Sequence, residues 1–421
     1  MNNSTTNAYE MKREIVNFSK KVSKGLNKSK SKFVMDMQYG LAKGGSVLIS
    51  NIARNLDENI KLNYTIDRLC DNLAKLYQDE KKMIWNNYLN EVSKNIDKEN
   101  AVVLFDDSDI NKEYSKKLED LDKVIDASSK DKRIVNGYHV CEATVLTKNE
   151  KQPISIYSKI YSCKSKNFIS KNIYTLESIK EAEKLIGKNF IGIFDRGYDD
   201  NKIFKYMSNS NHKFVIRLDD ERTLLFKGIK RSVKEVSNSR KGKISYKALF
   251  SENEEYDLMV SYTKATLPAN NKEYTLVIVY GLSEEKPMKL LTNIEIKEKE
   301  DVIKIVRLYL SRWRIEEHFR GKKQEYDFEN MRVRTLESMN NLNMMLTVHL
   351  GHIAILADKM NKKLLTIKII YASKSLKNKA IVWLSQIARG IKEILKYAHK
   401  GIKEWQQIEI RDKYKQLELK L

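Results

Sequence analysis

Two short apolar runs, each closed by an aspartate, constrain the fold of this chain most. Ala101-Val102-Val103-Leu104-Phe105 leads straight into Asp106-Asp107, and Phe190-Ile191-Gly192-Ile193-Phe194 leads into Asp195. Runs of this length without polar alternation suit strands buried on both faces, at the centre of a sheet. If the two strands are parallel neighbours, Asp106 and Asp195 arrive at one edge. Further β-like runs lie at 138–147, 154–161 and 214–218, with a helical stretch at 176–186. Three strands followed by helix, strand, helix and strand predict a mixed α/β layer.

The flanks have a different character. Residues 1–96 read as helical, with segments at 33–41, 46–56 and 65–96, a turn at Gly44-Gly45 and Ser46 as a helix cap. Lys20, Lys21, Lys24, Lys28, Lys30 and Lys32 precede this unit, which fits a small DNA-binding head or a helical packing domain. Residues 219–298 alternate in the β manner (256–262, 274–280, 288–296) and form an insertion before a helix that begins near Lys299. Beyond Met339 the chain is helical again, with an apolar segment at 342–357, an amphipathic one at 381–397 and a charged, peripheral end from Lys400. The expected division is 1–96, 97–218, 219–298, 299–345 and 346–421, the second and fourth forming one core.

Composition narrows the function. A formal charge of +22 over 421 residues points to a polyanionic partner, most simply nucleic acid, although Lys, Asn and Ile richness also follows from biased genomic composition. Cys70, Cys141 and Cys163 are scattered and odd in number, so the sequence indicates neither a disulfide framework nor a zinc site. The N-terminus is polar, and the best apolar stretch, 344–357, is too short to span a bilayer and contains His349 and His352. These features predict a soluble intracellular protein.

The chemistry concentrates on Tyr309, Arg312, Glu316 and Lys323. At ~100° per residue their offsets fall within ~60° of one another along ~21 Å of helix. Solvated Glu–Arg and Glu–Lys pairs are common on helices. A carboxylate among cations and a phenol also suits a metal site beside a phosphodiester. Asp106, Asp195 and Glu316 would repel one another on meeting and call for divalent cations. Asp107 rivals Asp106 for the first position, since strand alternation lets only one of them face the site. Glu316 rather than Glu317 lies on the stripe, and Asp199 and Asp200 suit the cap of the next helix.

Tyr309-x2-Arg312-x3-Glu316-x6-Lys323 resembles the YREK signature of bacterial insertion-sequence transposases of the DDE type at every interval. The segments 194–200 (FDRGYDD) and 104–109 look like the second and first Asp motifs of that group. The segment 44–56, followed by 65–73, is similar to its N-terminal region. The resemblance covers roughly 30–350. It implies a ribonuclease-H-like catalytic core interrupted by a β-rich insertion, with helical N- and C-terminal domains. It further implies Mg²⁺-dependent cleavage at transposon ends, with Mn²⁺ as a substitute, and joining of the freed 3′-hydroxyl to target DNA. Carried over by motif, Asp106, Asp195 and Glu316 would be the catalytic ligands of two ions. Tyr309, Arg312 and Lys323 would contact the DNA of the terminal inverted repeats. A homodimer in the synaptic complex and a nucleoid-associated, cytoplasmic location follow from the same resemblance. The doubled Asp106-Asp107 leaves the first ligand open by one position, and Gly321 interrupts the stripe. The rival readings are a haloacid-dehalogenase-like phosphohydrolase built on Asp107-x-Asp109, and a catalytically inactive DNA-binding regulator.

Overall fold

The computed structural model describes residues 3–126, 131–251, 254–282, 286–359, 364–374 and 382–398. Five helices open the chain: α1 (Asn3–Val22), α2 (Lys28–Gly44), α3 (Ile49–Leu56), α4 (Leu62–Ala74) and α5 (Gln78–Ser93). The expected 65–96 segment is thus two helices, broken around Leu76. The glycine turn is where the sequence places it. Gly45 sits at φ +59°, a left-handed conformation that glycine adopts at no steric cost, and its N–H donates to Leu41 O. Ser46 does not cap the next helix as expected. Its hydroxyl accepts from the Leu48 amide, and Leu48 is the capping residue.

The core strands follow as β1 (Val102–Asn111), β2 (Asp122–Ile125), β3 (Ile134–Leu146) and β4 (Pro153–Tyr161). After them come α6 (Lys171–Ile186), β5 (Ile191–Phe194), α7 (Asn201–Asn209) and β6 (Lys213–Arg217). β3 pairs antiparallel with both β1 and β4, whereas β1–β5 and β5–β6 are parallel. The spatial order β4-β3-β1-β5-β6 is that of a ribonuclease-H-like core, with β1 at the centre. β2 was not expected; its Asp-Lys-Val-Ile sequence carries no continuous apolar run like that of β5.

The insertion comprises β7 (Thr223–Phe226), β8 (Ile229–Ser232), α8 (Val233–Asn238), β9 (Ile244–Ser251), β10 (Glu254–Leu267), β11 (Lys272–Tyr280) and β12 (Met288–Thr292). It continues the core sheet instead of standing apart. β12 pairs with β6, and β11, β10, β7 and β8 extend the same twelve-stranded sheet. An unpaired β6 would present a row of free backbone groups, and β12 satisfies them.

Helices α9 (Lys299–Leu310) and α10 (Trp313–Tyr326) return to the core. α11 (Leu336–Asp358), α12 (Leu364–Ala372) and α13 (Leu384–Leu395) close the chain. The expected 342–357 segment lies in α11, which is buried along most of its length. The charged end from Lys400 lies outside the described residues. Among the described residues no helix is long and apolar enough to cross a membrane.

The N- and C-terminal helices form one layer. Gln38 Nε2 donates to Met345 O, Asn341 Nδ2 donates to Leu73 O, and Lys368 pairs with Glu10. Several of the N-terminal lysines belong to this packing. Lys30 donates to Lys75 O, Lys32 pairs with Asp36 and Glu58, and Lys21 pairs with Glu91. Gly351 is where α11 crosses α5, since a Cβ there would stand 2.3 Å from the ring of Tyr88. That ring is fully buried and its hydroxyl donates to Ser155 O of β4, so it has nowhere to move. Gly351→Ala is therefore expected to destabilise the fold by about 1–3 kcal/mol through overpacking. A urea melt checks this, and an unchanged midpoint would show that the crossing is looser than described.

Candidate active site

The parallel register of β1 and β5 sets up the site. Phe105 is aligned with Phe194, and their rings stack at 4.4 Å on one face of the sheet. The next residues along the two strands are Asp106 and Asp195, so alternation turns both toward the opposite face. β1 does not end there as expected. It continues to Asn111 because β3 pairs with it throughout, Asp106 opposite Glu142 and Asn111 opposite Gly137.

Asp106, Asp195, Glu316, Arg312 and Lys323 line one open cleft of about 410 Å³, together with Asp107, Ser108, Phe319, Arg320 and Gln324. The Arg312 guanidinium lies among the acids. Its Nη1 donates to Asp106 Oδ2 at 3.0 Å and its Nη2 to Glu316 Oε1 at 2.6 Å, while Nε lies 4.0 Å from Asp195 Oδ1. Tyr309 is buried, and its hydroxyl donates to Asp195 Oδ1 at 2.8 Å. Lys323 lies farther along the cleft, paired with Glu329 at 3.1 Å. Glu317 points elsewhere and pairs with Arg320.

The stripe, expected on one helix interrupted at Gly321, is divided between two helices at another point. α9 ends at Leu310 and α10 begins at Trp313, with Ser311 and Arg312 in a tight turn between them. Around this joint the amides of Arg312, Arg314 and Ile315 bond to carbonyls three residues back, a narrower winding than the α-helix. Ser311 Oγ donates to Leu308 O and draws that carbonyl into the turn. Gly321, by contrast, lies inside regular α10. A Cβ there would meet Leu384 of α13 at 2.3 Å, so the glycine serves close helix packing.

Asp106 and Asp107 separate as alternation requires. Asp106 faces Arg312, while Asp107 Oδ1 accepts from Tyr198 at 3.0 Å. Asp109, the other half of the expected phosphohydrolase pair, is held by His139 at 3.1 Å. Asp200 caps α7 by accepting from Lys202 N, whereas Asp199 pairs with Arg222.

Side-chain exposure increases from Asp106 (17%) to Asp195 (31%) to Glu316 (53%). Burial pushes the Asp106 carboxyl up to about 7 in spite of Arg312, with Asp195, Asp107 and Glu316 adding repulsion. Burial acts on Asp195 too, but Arg312, the Arg196 amide, Tyr309 and Arg217 outweigh it and hold that carboxyl below its ordinary value. The donor set fits a hard divalent cation. The three carboxylates surround one guanidinium, whose Nε is buried and without a hydrogen-bond partner, and their oxygens are not all within 4.8 Å of one another, so an ion would have to draw them inward.

Sequence reasoning missed the group that seats α10. Glu142, directly opposite Asp106 on β3, is fully buried and receives His318 Nε2 at 2.9 Å, Lys322 Nζ at 2.6 Å and Ser158 Oγ at 3.0 Å. Lys322 also donates to Ser158 Oγ and Asn343 Oδ1. One signal was present: Glu142 interrupts the apolar run Val140-Cys141-Glu142-Ala143-Thr144-Val145, and a buried charge needs a partner. Burial alone would raise the Glu142 carboxyl, but Lys322 and His318 hold it down at about 2. Burial also draws the Lys322 ammonium below its ordinary value against the pull of Glu142. Three donors on one carboxylate favour the ion-paired form.

Comparison with known proteins adds one sequence family. Residues 157–350 match the family model described as the transposase DDE domain. This match supports a DDE transposase. It spans Asp195, Tyr309, Arg312, Glu316 and Lys323 and begins after Asp106. No curated protein matches the chain. Among solved structures, the cryo-EM structure of a piggyBac transposase synaptic complex with hairpin DNA is similar at a TM-score of 0.44 and 11% identity. That likeness covers 95% of this chain and 80% of that one. The crystal structure of the NurA nuclease from Sulfolobus solfataricus is similar at a TM-score of 0.26 and 11% identity, over 59% of this chain and 86% of that one. Likenesses this loose carry no statement about activity.

Removing the charge of Glu142 tests how α10 is held. Glu142→Gln strands the Lys322 ammonium in the interior, and a cost of about 3–5 kcal/mol is expected near neutral pH. A carboxyl that titrates at about 2 in the fold, against 4.5 ordinarily, contributes fully above about pH 4.5. That contribution is lost as pH falls through about 2. The stability gap between wild type and Glu142→Gln should therefore narrow between pH 4.5 and 2 in urea melts. A gap constant over that window would mean that Glu142 is not held as the anion.

Proposed function

We propose that this chain is a DNA transposase of the DDE type that cleaves at transposon ends and transfers the freed strand into target DNA, in cut-and-paste fashion. The observation that carries this reading is the gathering of Asp106, Asp195, Glu316 and Arg312 in one cleft, from β1, the residue after β5, and the α9–α10 joint with α10. Asp106, Asp195 and Glu316 would hold Mg²⁺ or Mn²⁺, two ions in all. When bound, the ions polarise the scissile phosphate and sharpen the attacking hydroxyl.

The chain's own residues do the rest. Arg312 partly offsets the charge of the acids and, once freed from them, offers its planar fork of donors to a phosphate. Lys323 and Arg320, on the rim of the same cleft, are placed to take the neighbouring phosphates of the transposon end. Tyr309 fixes the rotamer of Asp195 and, with Arg217 3.7 Å from that carboxylate, favours its ionised form. The net charge of +22 supports double-stranded DNA as the partner, both terminal inverted repeats and target. Bringing two ends together calls for a homodimer in the synaptic complex. The YREK spacing favours a bacterial insertion-sequence enzyme working at the nucleoid.

Nicking of end-containing DNA is expected with Mg²⁺ or Mn²⁺ and not without a divalent ion. Glu316 is half-exposed, and a glutamine amide oxygen can accept the same Arg312 hydrogen bond, so Glu316→Gln should fold and bind the terminal repeats as wild type does. Its cleavage rate should fall on the order of a thousandfold. Retained cleavage would exclude Glu316 from the chemistry, and cleavage indifferent to divalent ions would exclude the two-ion reading.

A further inference from the structure

A second group of metal-ligating side chains lies on the other face of the sheet. β3 carries Asp109 of β1 opposite His139 on one side. On its other side, β2 pairs with residues 134–137 and β4 with residues 139–146, so the two short partners abut along one edge. At this seam Asp122 of β2, His139 of β3 and Cys163, two residues past β4, present a carboxylate oxygen, a ring nitrogen and a sulfur. These atoms all lie within 4.8 Å of one another. We propose that Asp122, His139 and Cys163 form a zinc site, with water in the fourth position, that clips β2 to the end of β4.

Three features beyond the grouping support it. His139 Nε2 lies 3.9 Å from Asp122 Oδ2, too far for a hydrogen bond. Two ligands at about 2.0–2.1 Å from a tetrahedral zinc are separated by about 3.3 Å, so a small inward movement encloses an ion. His139 Nδ1 is held by the Asp109 carboxylate at 3.1 Å, the outer partner that metal-bound histidines characteristically have. Asp122 is also positioned in advance, accepting from the Lys123 amide at 2.7 Å and the Cys163 amide at 2.6 Å. A nitrogen, a sulfur and one carboxylate oxygen suit zinc better than magnesium. Binding converts the Cys163 thiol to a thiolate and releases its proton to solvent. The group shares no residue with the cleft of Asp106, Asp195 and Glu316, so it stands or falls apart from the transposase reading.

The full-length chain, stripped of metal and titrated with Co²⁺, should bind about one equivalent with a thiolate-to-cobalt charge-transfer band in the near ultraviolet. Zinc should then displace it. Wild type and Asp195→Asn should each retain about one zinc through dialysis, whereas His139→Ala and Cys163→Ser should retain almost none. Asp109→Asn should bind zinc about 10–100-fold more weakly. Absence of the charge-transfer band in wild type overturns the proposal, and this reading needs no variant. Retention of zinc by Cys163→Ser or His139→Ala at the wild-type level, or its loss in Asp195→Asn, would overturn it as well.

Discussion

Three carboxylates cannot approach one another in a partly dehydrated cleft without a cation, and the rest of the site is organised around that fact. The Arg312 guanidinium supplies the cation here, with two hydrogen bonds and one longer approach. Its compensation is partial. Asp106, the most enclosed of the three acids, is still displaced to about 7, while Asp195 remains readily ionised. A compact doubly charged ion would satisfy the same oxygens better than a planar, singly charged fork.

The acids must also be held where they repel. Two of them are fixed by strand register, since Phe105 and Phe194 stack and place the following aspartates side by side. The third arrives on α10, a helix with no strand ladder to index it. The buried Glu142 provides the index, binding His318 and Lys322 one turn apart on the flank of α10 away from Arg312. Because Glu142 is directly across from Asp106, the anchor of the helix and the acid it approaches share one line across the sheet.

The periphery is coupled to this centre more closely than a division into domains implies. The β-rich insertion prolongs the core sheet through β12 and β6, and Asp195 follows the strand next to β6. The helices before β1 and after α10 pack into one layer whose contacts reach β4 through Tyr88 and α10 through Leu384.

What the sequence determined by itself is local. Continuous apolar runs marked β1 and β5, the spacing of Tyr309, Arg312, Glu316 and Lys323 marked the stretch that comes to lie against Asp106 and Asp195, and Gly44-Gly45 marked a turn, because each follows from the period or backbone freedom of neighbouring residues. Only the tertiary structure decided that α9 and α10 part at Ser311, that Arg312 turns inward to the acids, and that β12 continues the sheet. Only there does Glu142 find Lys322, 180 residues away. The same holds for Asp122, His139 and Cys163, which look unrelated along the chain and meet at a seam between strands. Long-range pairing of charges leaves no period in a sequence. It is fixed by the cost of burying each group alone, a cost that exists only once the chain has folded around it.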